Sequence, residues 1–330
     1  MTQARRSRLD RLAVTNMAQA VAASVAAPRK RSVFSSPLTR REAIMGYLFI
    51  SPWLFGFVVF LAGPIIASFF LSFTRYSPGR DPIWLGLSNY ARMFGDDLFY
   101  HSLRVTTVYT LFSVPLGLVT ALGLAVLLNQ KVIGQRIFRT VFYLPSLISG
   151  VAVAIVFAWI FNARFGIINY FLSLLGLPGP NWLGDPEWTM PAFILMSLWG
   201  VGGTVVIFIA ALQGVPLELY EAAELDGAGS WRRFAHITLP MISPVILFSL
   251  ITGIIGTFQT FAVSYIMTGG GPANASLFYL LYLYRNAFTW FEMGYASALA
   301  WFLFLIILVC TAILLRTSDL WVHYEGLGRK

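Results

Sequence analysis

The sequence predicts an all-α, polytopic membrane protein with six transmembrane helices. Composition, the placement of charge and the asymmetry of the basic residues carry that reading. Apolar residues supply 58% of the 330 positions and charged residues 11%, less than half of the roughly 25% charged share of an ordinary soluble domain. Asp, Glu, Lys and Arg are missing altogether from residues 43–74, 105–130, 140–163, 188–217, 234–284 and 293–315. Each stretch reaches the about 20 residues that a helix needs to cross a bilayer.

Allowing a few residues of error at each end, the spans fall at 45–73, 105–130, 140–161, 189–213, 244–267 and 294–315. With the N-terminus inside, the outer segments keep Arg75, Arg80, Arg92, Arg104, Arg164 and Arg285, and the other seventeen of the 23 basic residues are cytoplasmic. That excess is the positive-inside bias, so both termini are expected in the cytoplasm. The net charge of +9 follows from this topology. A nucleic-acid surface would interleave cations with stacking aromatics, and these cations flank apolar spans instead.

Residues 1–44 are expected to form a basic, disordered cytoplasmic tail, 45–317 the transmembrane domain and 318–330 a short cytoplasmic tail. A signal peptide is disfavoured for the tail because Thr15, Asn16 and Gln19 interrupt its apolar stretch. An Arg-rich, acid-poor transit peptide ranks lower still. Two further apolar stretches, 165–177 and 277–284, are too short to span. Gly176, Pro178, Gly179 and Pro180 stop the first, and Gly269, Gly270, Gly271 and Pro272 separate the second from the fifth span. Both are expected as short outer helices at the membrane interface, a depth that suits the rings of Trp182, Trp188, Trp290 and Tyr295.

Helices in lipid pack through small residues, because no hydrophobic effect drives them together. The second span offers Ser113, Gly117, Ala121 and Ala125, and the fifth offers Gly253, Gly256, Thr257, Thr260 and Ser264. Both stripes are expected as helix contacts first, with the fifth span lining a pathway as the second reading. Pro52, Pro64 and Pro115 can kink their spans. Cys310 stands alone, which leaves no disulfide framework and no multi-cysteine metal site, and packing or lipid contact accounts for it.

The segment between the fourth and fifth spans holds the densest local signals. Gly214 breaks a helix, Pro216 suits a first helical turn, and residues 217–226 can form about three turns. Gly227 can close them in the left-handed conformation. Ser230 is a candidate N-cap for a second short helix, and Pro240 with Pro244 restarts the span. Glu218, Glu221 and Glu224 recur at three-residue spacing, with Leu219, Ala222 and Ala223 on a neighbouring face. Spacing alone leaves two readings open: a solvated face complementing the helix dipole, or a knob narrow enough at its alanines to enter a partner's groove.

The pattern Glu221-Ala222-Ala223, three residues, Gly227, nine residues, Ile237, one residue, Leu239-Pro240 resembles the signature loop of permease subunits of binding-protein-dependent ABC importers. The resemblance implies that the loop is a cytoplasmic coupling helix that docks in a cleft of a separate ATPase. There Glu221 meets basic groups, Ala222 and Ala223 permit close approach, Gly227 makes the turn, and Ile237, Leu239 and Pro240 lock the loop to the bundle. Residues 85–90 (Leu-Gly-Leu-Ser-Asn-Tyr), 142–145 (Phe-Tyr-Leu-Pro), 267–274 (Met-Thr-Gly-Gly-Gly-Pro-Ala-Asn) and 294–298 (Gly-Tyr-Ala-Ser-Ala) resemble the sugar-permease branch. That branch implies a second homologous permease, two cytoplasmic ATPase subunits holding ATP and magnesium, and an extracytoplasmic solute-binding protein docking on the outer loops. The long loop after the first span is the expected docking surface. No cofactor is expected on this chain, which is read as a transport subunit and not an enzyme.

Sugars are held by aromatic faces and hydrogen-bonding side chains in a largely preformed cavity. Trp199, Gln259, Thr260, Tyr265, Asn286 and Tyr295 are the candidates for a substrate pathway, each with a packing role as its alternative. The partner permease holding the substrate alone is also open. An ion-coupled sugar carrier is the competing reading, yet such carriers place ionisable groups at depth. No charged residue or histidine falls within the six spans, and His101, His236 and His323 lie in loops or the tail. Glycerol 3-phosphate remains as an alternative substrate. An intramembrane enzyme is disfavoured for want of a His-Glu-x-x-His pair or a Gly-x-Ser-x-Gly elbow. The glycine run at 269–271 is no phosphate loop, since no Gly-Lys-Ser or Gly-Lys-Thr follows it.

Overall fold

The structure, a computed structural model, describes residues 37–130 and 133–323. Residues 1–36 of the expected tail, Lys131, Arg329 and Lys330 lie outside the described residues, whereas Arg40 and Arg41 of that tail are helical. The described residues divide into two compact units between Ile66 and Ala67. Four helical runs are long and apolar enough to cross a membrane: Arg40–Leu71, Asp97–Leu128, Ser230–Met267 and Met293–Trp321. Two bent pairs bring the number to six if each pair is one span.

The first run comprises α1 (Pro37–Phe57), a π-turn at Val58–Ala62 and α2 (Gly63–Leu71). The π-turn has a cause in the sequence. Pro64 has no N–H to give, and the backbone widens one residue upstream, where the Gly63 amide bonds the Val58 carbonyl.

The second unit carries the remaining elements. A two-stranded antiparallel ladder, β1 (Thr74–Arg75) with β2 (Ile83–Trp84), leads to α3 (Ser88–Met93). These are the only strands among the described residues, so the all-α expectation holds. The second span is α4 (Asp97–Leu128), which starts eight residues before the predicted end because the Asp96 carboxylate accepts from the Leu98 and Phe99 amides. That cap satisfies two of the helix's orphan donors. α4 is the central helix, and three apolar clusters line it in sequence. They gather around Phe99, around Val105 and Tyr109, and around Ala121, Ala125 and Leu128.

The third span departs from expectation. Residues 140–161 do not make one straight helix: α5 (Gln135–Tyr143) ends in a tight turn at Leu144–Leu147, and α6 (Gly150–Ile160) leaves at 99°. Pro145 and the extended Ser149 stop the first helix. After the short helix α7 (Ile167–Leu174), α8 (Pro186–Ser197) and α9 (Gly202–Gln213) make the second bent pair, at 48°.

The knob follows as α10 (Leu217–Leu225) and α11 (Ser230–Arg233). A π-turn at Phe234–Thr238 then joins α11 without a break to α12 (Leu239–Phe258), so Pro240 does not restart the span. The amide of Leu239 bonds the Phe234 carbonyl, which again absorbs a following proline. Gly229, not Ser230, occupies the N-cap of α11, and no side chain caps it.

α13 (Ala262–Met267), α14 (Tyr279–Tyr284) and α15 (Met293–Trp321) complete the fold. α15 runs past residue 315, so residues 318–321 are helix rather than tail. The interfacial expectation fails for 277–284. Leu277, Tyr279 and Leu281 are fully buried, packed with Phe99 and Leu299 in the cluster at the N-terminal end of α4. The aromatic run is core because its polar atoms find partners inside: the Tyr279 amide bonds Thr106 Oγ1 and its hydroxyl bonds the Leu299 carbonyl. α7 keeps Ile167, Tyr170, Phe171 and Leu174 exposed, as an interfacial helix would. Trp182 and Tyr295, expected at the interface, are buried, whereas Trp188 and Trp290 are exposed.

Candidate functional site

The knob between α9 and α12 is built locally. α9 stops at Gly214, and Pro216 stands immediately before α10 at its N-cap. At the far end the Ala228 amide bonds the Ala223 carbonyl and the Gly227 amide bonds the Glu224 carbonyl, with Gly227 at φ +73°. This pair of bonds is a Schellman closure, and it needs a residue without a Cβ penalty at its left-handed position. The expectation for Gly227 is met.

Glu221, Ala222 and Gly227 are exposed, while Ala223, Ile237, Leu239 and Pro240 are half-buried. Arg233 pairs with Glu224 at 3.2 Å, and among the described residues Glu221 makes no ion pair. One carboxylate of the exposed face is therefore spoken for and Glu221 projects free. The fastening of the knob also uses two residues outside the signature. The Tyr220 hydroxyl meets Thr238 Oγ1 at 2.8 Å, and Thr238 is buried in the π-turn. Their eighteen-residue separation hides the bond from any local pattern.

A second feature lies where α4, the α8–α9 bend and α12 meet. A cavity of about 180 Å³ is lined by Ser113, Ser197, Thr204, Ser249 and Thr257, with Gly117, Gly200 and Gly253 allowing the approach. Val114 Cγ1 lies only 3.2 Å from where a Cβ on Gly253 would stand. Ser249 Oγ is buried without a hydrogen-bond partner, and Ser113 Oγ lacks a well-aligned one. A buried hydroxyl without a good partner is costly, and each of these two can both donate and accept. Ser113, Gly117, Gly253 and Thr257 belong to the small-residue stripes. Ala121 and Ala125 serve as pure helix contacts, fully buried toward α9.

The six predicted pathway residues do not converge. Trp199 sits half-exposed at the α8–α9 bend, edge-on to Phe157 at 5.5 Å. Gln259 and Thr260 form the break between α12 and α13, and exposed Tyr265 stacks on Phe261 at 5.4 Å. Asn286 and Tyr295 are buried elsewhere. Asn286 Nδ2 bonds the Tyr282 carbonyl at 2.9 Å, and the Tyr295 hydroxyl donates to Asp96 Oδ2 at 2.6 Å. Ser197, Thr204 and Ser249, which line the cavity, went unnoticed because a lone hydroxyl in an apolar span carries no periodic signal.

Tyr295 belongs to a clamp at the N-terminal end of α4. The Tyr282 hydroxyl also donates to Asp96 Oδ2, Arg92 lies 4.3 Å over the Tyr295 ring, and Arg92 pairs with Glu292 at 2.7 Å. Burial pushes the Asp96 carboxyl up, but the two tyrosine hydroxyls and the Phe99 and Leu98 amides outweigh it, holding the group below the usual carboxylate range. Its hydrogen bond to Glu292, helped by that carboxylate's charge, raises Arg92 against the opposing effect of burial. Among the described residues no cluster of His, Cys, Asp and Glu could hold a metal ion.

Residues 113–322 match the model of the binding-protein-dependent transport system inner membrane component. A probable ABC transporter permease protein of Bacillus subtilis strain 168, YesP, is 45% identical over 292 residues, covering 87% of this chain and 94% of its own. The arabinooligosaccharides transport system permease protein AraP of the same organism is 37% identical over 86% of this chain and 90% of its own. Among solved structures, a bacterial alginate ABC transporter in complex with an alginate pentasaccharide-bound periplasmic protein contains a chain that matches with a TM-score of 0.75. That chain is 25% identical, and the match covers 84% of this chain and 95% of that one. The chain is therefore a multi-pass membrane protein that belongs to the family of binding-protein-dependent transport system inner membrane components.

Proposed function

We propose that this chain forms half of the translocation pathway for a di- or oligosaccharide in an ATP-driven importer, with hydrolysis carried out by separate cytoplasmic ATPase subunits. The observation that carries the reading is the knob: an exposed helix with a free carboxylate at Glu221, closed at Gly227 and tied by Tyr220 and Thr238 to the start of α12. A force applied to such a knob is delivered to α12, whose next turns line the hydroxyl-rich cavity. The knob docks in the ATPase through Glu221, Ala222 and Ala223, and Ile237, Leu239 and Pro240 hold its base.

The cavity supports a neutral polyol over a phosphate ester, because its lining supplies hydroxyls and no cation. Its size supports a shared pathway. Ligand pockets run to about 300–1,000 Å³, so 180 Å³ is one wall of a site whose other wall is a second homologous permease. Trp199, Gln259, Thr260 and Tyr265 extend the polar path beyond the cavity. A solute-binding protein delivers the sugar to the outer loops, both termini are cytoplasmic, and the complex contains two ATPase subunits. The sugar-transport names of the relatives support this reading.

Uptake in membrane vesicles tests it. The importer requires ATP and a sugar-loaded binding protein, and uptake driven by a proton gradient without ATP would exclude it.

A further inference from the structure

We infer that α15 is a connecting rod: the Ser243 hydroxyl couples its C-terminal end to the base of the knob, and its N-terminal end shapes a cavity at the opposite end of α4. The inference rests on the reading of the knob as the ATPase contact.

The attachment at the knob runs through one buried side chain. Ser243 stands near the start of α12, three residues beyond Pro240, and is 3% exposed. Its hydroxyl donates to the Pro240 carbonyl at 2.6 Å and accepts from the His323 amide at 2.8 Å. α15 closes just before this point, where the Val322 amide bonds the Ser318 carbonyl. The chain leaving α15 is therefore bound at once to the helix that the knob drives.

Two helices place the knob and the clamp at opposite ends. Gln213 Nε2, which ends α9 just before the knob, donates to Asn129 Oδ1 at the C-terminal end of α4, at 3.3 Å. The Tyr295 hydroxyl meets Asp96 at the N-terminal end of α4. α15 agrees, since it carries Tyr295 near its start and reaches Ser243 just past its end. Its 29 residues span about 43 Å.

A rod must not bend. α15 holds no proline and runs unbroken from Met293 to Trp321. α12, which receives the knob directly, contains Pro244 and gives way at Gln259 and Thr260. An axial displacement is thus carried further by α15 than by α12. The rod also has no slack at its N-terminal end. The Gly294 amide bonds the Tyr76 carbonyl at 3.2 Å, and the Thr74 carbonyl leaves no room for a side chain at Gly294. Beside this contact lies a cavity of about 340 Å³ whose lining includes Arg75, Tyr76, Ser77, Arg92 and Tyr295. A shift of α15 moves one wall of that cavity, and by linkage an occupant of the cavity biases the knob.

The test reads the cavity while the knob is driven, in the complete importer with its partner subunits. Ser77→Cys in a Cys310→Ser background is modified with a soluble thiol reagent, without nucleotide and after trapping with ATP and vanadate. The two rates should differ by about fivefold, the lower end of an ordinary coupling between sites. His323→Pro removes the donating amide and leaves Ser243 in place, and the extended backbone of Val322 accepts a following proline. The two rates should then become equal, and Ser243→Ala should behave alike. His323→Ala keeps the amide and should preserve the difference. Equal rates in the parent, or an undiminished difference in His323→Pro, overturns the rod. Nucleotide-dependent cross-linking at Glu221→Cys, run in parallel, reports on the knob itself. A knob that responds while the cavity does not contradicts the rod alone, whereas a knob that does not respond removes the transport reading and the rod together.

Discussion

Single atoms decide much of this protein's packing. The Thr74 carbonyl lies 2.0 Å from where a Cβ on Gly294 would stand, and the Phe142 carbonyl 2.3 Å from one on Gly202. Both obstacles are backbone, so Gly294→Ala and Gly202→Ala should each lower the thermal stability of the purified protein, by roughly 1–3 kcal/mol. An unchanged melting temperature for either would show that the backbone yields. Asp96 offers a pH-dependent test. Its carboxylate form is favoured in the fold, so its contribution is complete above the ordinary carboxylate range and is lost as pH falls through the lower folded value. Asp96→Asn should therefore melt below wild type at neutral pH, and the gap should close in strong acid. A gap independent of pH would remove the tyrosine–carboxylate clamp from the account.

Among the elements, the knob is the one whose geometry makes the strongest demands. Proline at 227 cannot adopt φ +73°, so Gly227→Pro should abolish uptake while leaving the chain inserted, as read by transport and membrane fractionation together. Tyr220→Phe removes the bond to Thr238 and should cost about 1 kcal/mol and slow transport without abolishing it. Wild-type rates in this variant would mean that the fastening is incidental. The knob was legible beforehand because its signals are local: a glycine, a proline and three glutamates within a few turns. The α5–α6 bend was not, because a count of charge-free residues measures whether a stretch is apolar and is blind to its direction. The buried helix α14 was misplaced for a related reason. Its tyrosines look amphipathic in isolation, and only partners far along the chain, Asp96 and Leu299, make them core.

At the scale of the whole molecule, composition and charge bias located every long apolar run, because lipid imposes a requirement that sequence displays directly. Helix ends were missed outward, at Asp97 and Trp321, since helices continue into water where hydropathy no longer marks them. The substrate candidates fared differently. Side chains chosen for chemical character scattered, and the cavity is instead lined by hydroxyls that α4, α8, α9 and α12 bring together. In the proposed importer a separate ATPase grips the loop joining α9 to α12. The lone cysteine makes this directly measurable: in a Cys310→Ser background, Glu221→Cys is treated with a short bifunctional reagent in the assembled importer. Cross-linking to the ATPase subunit that varies with nucleotide is the predicted result. Labelling of this position from the outer side of intact cells, with no cross-link to any nucleotide-hydrolysing subunit, would contradict it.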